Sequence, residues 1–536
     1  MKHRWKPGNV SISILLACMT AIILTITAPD IGLTYDETTY IQAAQSNVQW
    51  MAILARHPVL AFNSKTINTY WTINPEYPPV EKIWSGLIEL IARYFAHTLT
   101  AYRFGTILLV ALLVALIYLM ISETYGKAAG LFASAALMCM PRFFFHAHLA
   151  ALDVPVAVGS FALTFLFWKT VDRQSWAWGI LWGVVWGLTV ATKVNGVFTL
   201  LALVIWFLIF RRTWFVVIRL VLMGFVAVIT FFLVWPWLYF QTWTRVLDFI
   251  NFWMHHHANG TWYLGQYYLL PPWHYVFVIL WAVVPLTVMA LFLTGIMLAG
   301  NGKRDGGLAW LLIISAFISI SPFIFGRTPL YDGERLFMPV FPFLVALAGV
   351  GFGWLVTFME KILKRARQPR LTIPVTFIIG IALLTPQVVS MVGLYPHLLS
   401  YYSESVGGLP GATRLGLETT YWDETLAAAI PYINAHAKPD DHIWIEDRTV
   451  LVFYQEIGRF DPDVSFTSKY PEIVPGRKGY GLFGNADWYI LTYRQSQYRF
   501  GGEKNYLPLQ ILETQTPVFQ ISYQGIPLMK VYGKLK

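Results

Sequence analysis

The sequence predicts a polytopic α-helical membrane protein that carries a small water-facing α/β domain at its C-terminal end. Three observations lead there. Hydrophobic residues fill 56% of the 536 positions and charged residues 13%, about half the ~25% charge of an ordinary soluble chain. Mean hydropathy is +0.53. Long apolar runs recur up to about residue 394 and then stop. This composition excludes a disordered, collagen-like or disulfide-framed protein. The two cysteines, Cys18 and Cys139, both sit inside apolar runs, so no structural disulfide is expected. The net charge of +10 is spread over short loops and forms no basic stripe. Membrane orientation, not nucleic acid, accounts for it.

A hydrocarbon core of about 30 Å asks for ~20 apolar residues per helix, because lipid offers the backbone no hydrogen-bond partner. Eleven segments meet that demand, near 10–29, 103–121, 127–141, 153–170, 176–193, 195–210, 214–238, 272–299, 308–325, 336–358 and 372–394. The first follows Lys2, Arg4 and Lys6 and leads into no small-residue cleavage site, which reads as a retained anchor. Threaded alternately, one set of loops collects the N-terminus, Lys127, Lys169, Arg173, Arg211, Arg212, Lys303, Arg304 and the basic run 361–370. The Lys/Arg excess assigns that set to the cytoplasm. The opposite set holds 30–102, 142–153, 239–271, 326–335 and all that follows about residue 395. Residues 1–395 therefore form the membrane domain, with an amphipathic outer loop over 30–102. Residues 396–536 form an extracytoplasmic domain, with a helix expected over 423–437 and strands at 442–445, 488–492, 518–523 and 527–531.

The ionisable residues of the outer loops are the candidates for chemistry, since charge at a membrane surface is costly to desolvate. Asp36 and Glu37 follow the first span directly; one of them can cap the next helix while the other faces a cavity. Glu76 and Lys82 flank Pro78-Pro79, where the prolines start a helix and Lys82 can equally snorkel to headgroups. Arg142 suits a headgroup or a bound phosphate, Asp153 suits an N-cap, and Lys193 beside Asn195 lies at another outer end. His255, His256 and His257 raise the question of a divalent metal, for which at most one or two of them could share a site with Glu76. Consecutive residues on a helix diverge, however, so interfacial packing is the stronger reading and no metal ligand is assigned. The last outer loop carries Arg327, Tyr331, Asp332, Glu334 and Arg335, which form either a self-paired turn or a phosphate clamp.

Acids and cations gathered on outer loops suit an enzyme whose substrate has a lipid tail and an anionic head. A polyprenyl-phosphate sugar fits: cations hold the phosphate, and a carboxylate takes the proton from an attacking hydroxyl. A single displacement inverts the anomeric centre. Two further classes compete, a multi-pass transporter or lipid flippase and a noncatalytic scaffold. A transporter would place ionisable groups at mid-membrane, whereas here they collect at one face.

Taken in order, Tyr35-Asp36-Glu37, Glu76-Tyr77-Pro78-Pro79 with Lys82, the stretch 148–155, Ala191-Thr192-Lys193 with Asn195-Gly196, and Tyr331-Asp332-Gly333-Glu334-Arg335 resemble the GT-C glycosyltransferases of family 39. Relatives there include protein O-mannosyltransferases and lipid A aminoarabinose transferases. The resemblance spans nearly the whole membrane part and extends to 401–410 and 419–422. It implies an inverting hexosyl- or pentosyltransferase of about eleven spans in the inner cell membrane, acting on its outer face. The donor would be a polyprenyl-phosphate sugar and the acceptor a hydroxyl of the cell envelope. Asp36 would be the catalytic base and Glu37 its partner; Asp153 would place donor or acceptor; Lys82, Arg142, Lys193 and Arg335 would meet the phosphate. Glu76, Tyr331 and His255 join the expected substrate site. Tyr77 stands where many relatives carry His or Lys, and the C-terminal domain does not resemble the β-trefoil of eukaryotic relatives, so the resemblance implies no protein acceptor.

Overall fold

The computed structural model describes residues 7–255, 259–299, 306–325, 328–468, 483–497 and 506–535. Every expected apolar segment coincides with helix. Pro7–Thr27, Thr98–Tyr125, Trp214–Leu233, Val340–Arg365 and Pro369–Leu394 are long and apolar enough to cross a bilayer. Shorter apolar helices accompany them at Lys127–Met138, Trp176–Val190, Val194–Phe210, Leu286–Leu298 and Leu308–Ile324, and Asp153–Thr170 packs among them. The segment near 272–299 is two helices, Tyr275–Val283 and Leu286–Leu298. Pro285 lacks an N–H and pushes Val284 to extended geometry (φ −84°, ψ 127°), so the helix must break there.

Val340–Arg365 is the axis of the bundle, buried from Val340 through Gly353. Its approach to Leu286–Leu298 depends on glycine: a Cβ on Gly351 would lie 2.2 Å from the Leu291 carbonyl oxygen, and one on Gly295 2.1 Å from that of Leu347. In lipid, where apolar burial between helices gains little, such close backbone contact supplies the attraction. The periphery exposes Ile14, Ile22 and Ile26 on the first helix and Phe377 and Ile378 on the last, a surface matched to acyl chains.

Two strands, β1 (Thr261–Tyr263) and β2 (Gln266–Tyr268), make a hairpin in the aromatic outer loop. The C-terminal domain holds β3 (His442–Ile445), β4 (Ser465–Ser468), β5 (Trp488–Thr492), β6 (Phe519–Tyr523) and β7 (Ile526–Tyr532), ordered β4-β3-β5-β7-β6. β3 runs parallel to both β4 and β5, while β7 is antiparallel to β5 and β6. The expected strands are all present; β4 escaped notice because Ser-Phe-Thr-Ser alternates weakly. The expected helix over 423–437 is instead a 3-10 turn, Glu424–Ala428, followed by Ile430–His436. Asp423 takes left-handed φ (+61°) and Pro431 restarts the helix at its first turn.

The domain is welded to the outer loops. Leu33, Ile41, Leu99 and Tyr102 share one apolar core with Leu426, Ile430, Ile443 and Leu451. The Leu33 N–H donates to the Tyr454 hydroxyl at 2.7 Å, and the Tyr35 N–H to the Trp422 carbonyl at 3.2 Å. This weld fixes the start of the helix Tyr35–Arg56, and with it Asp36.

Candidate active site

Thr34 is the N-cap of Tyr35–Arg56, and its N–H donates to Glu37 Oε2 at 3.4 Å. Glu37 is fully buried and accepts two further bonds from the Arg103 guanidinium, at 2.7 and 2.8 Å, and one from the Ala150 N–H at 2.9 Å. Arg103 gives its other N–H groups to the carbonyls of Ala28, Ile31 and Gly32. The structure thus separates Glu37 from the expected catalytic pair. With no exposure and its oxygens occupied, Glu37 ties the end of the first span to the second outer turn and positions its neighbour.

That neighbour points the other way. Asp36 Oδ2 accepts from Arg335 Nη1 at 2.5 Å, and 24% of the Asp36 side chain stays exposed. The Arg335 guanidinium lies over the Trp422 ring at 4.4 Å and the Tyr331 ring at 5.0 Å, with Asp332 at 3.4 Å. These faces hold a planar cation while leaving its edge for an acid. The self-paired reading of the last loop is therefore incomplete, since Arg335 and Glu334 both find their main partners on other segments.

Arg335 sits where two cavities meet. One, of about 420 Å³, is walled by Val197, Phe198, Trp253, Phe323 and Leu336, with Tyr40, Tyr77 and Tyr331 at its polar end. Asp153, Lys193 and Arg335 bring charge to it; Lys193 donates to Asp153 Oδ1 at 2.5 Å. The other, of about 400 Å³, is polar and contains Asp36, Asp332, Arg335 and Trp422, closed by side chains of the C-terminal domain. Arg494 is the main one: it donates to Asp332 Oδ1 at 2.7 Å and stands 3.8 Å from Asp423. Burial raises the Asp423 carboxyl to about 6, against the opposing pull of Arg494.

Other expected site residues are placed elsewhere. Lys82 is buried and donates to the Asn74 and Tyr77 carbonyls at 2.9 and 2.8 Å, and burial pushes its amine down to about 7. It is a clip inside its own loop, neither snorkelling to headgroups nor facing either cavity. Glu76 accepts from Asn74 at 2.8 Å in the same loop. Arg142 is spent on structure: it donates to Glu334 Oε2 at 2.7 Å and to the Tyr401 carbonyl at 2.8 Å, beneath the Tyr402 ring. Burial alone would raise the Glu334 carboxyl, but Arg142 and then His146 outweigh it and hold the group at about 2. His255 is exposed, its ring nitrogen 3.2 Å from the Asn251 carbonyl; His256, His257 and Arg327 lie outside the described residues. Among the described residues no three His, Cys, Asp or Glu side chains converge on a metal position. Arg494, Asp423, Glu446, Asp447, Ser496 and Gln497 were not foreseen, because loops of a separate domain show no motif that ties them to Asp36.

An outer domain is welded over a helical bundle, and charged loops meet at one end of that bundle. Over 97% of each chain, the structure superposes on ArnT from Cupriavidus metallidurans bound to undecaprenyl phosphate, with TM-score 0.53 and 17% identity. The apo form of that protein gives the same values: TM-score 0.53, 17% identity and 97% of each chain. The Archaeoglobus fulgidus oligosaccharyltransferase in its apo form matches 92% of this chain and 70% of its own at 10% identity, TM-score 0.48. Residues 79–240 match the family described as dolichyl-phosphate-mannose-protein mannosyltransferase. No curated protein sequence matches the chain. In fold the chain is like ArnT, and over residues 79–240 its sequence is like that mannosyltransferase family.

Proposed function

We propose that the chain transfers a sugar from a polyprenyl-phosphate carrier to a hydroxyl acceptor on the outer face of the cell membrane, with inversion. One observation supports this above all: an acid and a cation, Asp36 and Arg335, are paired where an apolar cavity among membrane helices meets a polar cavity under the water-facing domain. The prenyl chain belongs in the apolar cavity, and its phosphate near Lys193 and Arg335. The acceptor approaches from the polar side. Asp36 takes the hydroxyl proton as the oxygen attacks the anomeric carbon. The carbon–phosphate-oxygen bond breaks and its electron pair leaves on the phosphate, whose growing charge Arg335 and Lys193 offset. An arriving phosphate competes with Asp36 for Arg335, so donor binding itself releases the base. The sugar, hexose or pentose, is left to the shape of the polar cavity, and the reaction as written calls on no metal.

Support for the carrier comes from the bound undecaprenyl phosphate of the ArnT structure. A transporter gains none: Asp36, Asp153, Lys193 and Arg335 all gather at one end of the bundle. The test is turnover. Purified protein supplied with polyprenyl-phosphate sugars should release free polyprenyl phosphate, and Asp36→Asn, nearly isosteric but without basicity, should lose at least about 100-fold in rate. Undiminished turnover in that variant removes Asp36 as the base.

A further inference from the structure

Away from Asp36 and Arg335, a third cavity of about 370 Å³ opens at the seam between the first span and the C-terminal domain. Pro29 walls it where the first span ends, and residues 97–100 wall it where the helix Thr98–Tyr125 begins. Ile457 and Arg459 close it from the loop between Thr449–Glu456 and β4.

Three features converge on this notch. The helix Thr98–Tyr125 has 28 residues, and no side chain caps its start. Its first N–H groups therefore lack intrahelical acceptors and carry the positive end of the helix dipole. Thr100 lines the notch and is only 4% exposed, yet its hydroxyl makes no hydrogen bond among the described residues. A polar group buried so deeply normally has a partner. The Arg459 guanidinium leans on the Tyr454 ring at 5.5 Å and forms no ion pair among the described residues.

No carboxylate lines the notch. Asp30, next to Pro29, accepts from the Tyr395 hydroxyl at 2.6 Å, Glu89 is paired with Arg93, and Glu456 does not border the cavity. No undescribed stretch is next in sequence to a residue of the notch. Phe483 and Tyr506, where the chain returns after two such stretches, pack with Trp444 and Tyr489 on one face of the sheet, whereas Ile457 packs with Ile443 and Ile445 on the other.

A helix start, an unpaired guanidinium and a buried hydroxyl without a partner make a site for a phosphate-type anion. The carrier of that anion follows from place. The first span ends at the notch, and the chain leading into it exposes Ile91, Tyr94 and Phe95 (66, 86 and 62%). Apolar and aromatic side chains exposed at such a level lie where headgroups meet acyl chains.

We propose that the notch is a second anion site, separate from the donor phosphate at Arg335, and that it holds the phosphate of an anionic lipid whose tail lies along Ile91, Tyr94 and Phe95. A lipid bound there bridges Arg459 to the start of Thr98–Tyr125 and so reinforces the weld between the C-terminal domain and the bundle.

Binding tests this without reference to sugar transfer. Full-length protein in nonionic detergent is titrated with phosphatidylglycerol, phosphatidylcholine and inorganic phosphate, and bound lipid is counted by native mass spectrometry. Phosphatidylglycerol should bind at least about tenfold more tightly than phosphatidylcholine, whose choline sets a cation against Arg459. Arg459→Gln should weaken phosphatidylglycerol at least about fivefold, the share of one arginine at an anionic headgroup. Thr100→Val keeps the shape, removes the hydroxyl and should cost a similar factor. Both variants should melt as wild type does without lipid, and phosphatidylglycerol should raise the melting temperature of wild type more than that of either variant. Equal affinity for the two lipids, or phosphatidylglycerol affinity unmoved in both folded variants, would overturn the proposal. Displacement of the lipid by excess inorganic phosphate would give the notch to the free ion and overturn its lipid occupant.

Discussion

Asp36 and Glu37 are adjacent in sequence yet do opposite work, and the cause is direction on one helical turn. Glu37 turns inward to Arg103 and Asp36 turns outward to Arg335. Sequence alone marks both as costly charges at a membrane surface, but adjacency does not tell which one a buried arginine claims. The same limit explains Lys82 and Arg142: basic residues near the outer face suit a phosphate until the fold supplies carbonyls and Glu334 for them. Removing one partner of a buried pair leaves the other charge unsatisfied and costs about 3–5 kcal/mol. Glu37→Gln should therefore lower the melting temperature and the yield of folded protein, whereas Asp36→Asn should keep wild-type stability and lose turnover. Thermal unfolding of both variants in the same detergent checks this, and a stable, inactive Glu37→Gln would return Glu37 to the chemistry.

At the scale of elements, the loop from Leu330 to Phe337 organises the outer face. It sends Arg335 to Asp36, Asp332 to Arg494 and Glu334 to Arg142, so three segments distant in sequence converge on one turn. Gly333 makes this turn with φ +62°, and a Cβ there would meet Arg142 Nη1 at 3.0 Å. The Glu334–Arg142 pair has a pH signature. The Glu334 carboxyl is held at about 2 in the folded protein, below the ordinary glutamate value of about 4.3. Its stabilising contribution is present above about pH 4.3 and is lost as pH falls toward 2. Unfolding measured across that interval should show stability dropping more steeply for wild type than for Glu334→Gln, which should already be weaker at neutral pH; parallel profiles would contradict the assignment. The helices themselves were legible because apolar length is a strong signal in lipid. The break at Pro285 and the restart at Pro431 were not, since both depend on how neighbours take up the freed backbone groups.

For the whole molecule, the arrangement is a bundle that encloses a largely apolar cavity and a domain that covers the polar cavity beside it. Most of the architecture could be read from hydropathy and the spread of Lys and Arg. The covering domain's share of the site could not, because Arg494 reaches Asp332 only through tertiary docking of the domain. Sidedness follows from the same plan: in sealed right-side-out vesicles, Asp440→Cys on the exposed edge of the domain should react with an impermeant maleimide, and Lys364→Cys, 67% exposed at the opposite end of its helix, only after lysis. The reverse pattern would put the site in the cytoplasm. The central claim, that Arg335 is shared between the resting base and the donor's phosphate, is tested most directly by a structure of the protein with polyprenyl phosphate bound. The phosphate should lie within hydrogen-bond distance of the Arg335 guanidinium, with the tail in the apolar cavity and the 2.5 Å Asp36–Arg335 contact opened. A phosphate seated away from Arg335, with that contact intact, would contradict the account.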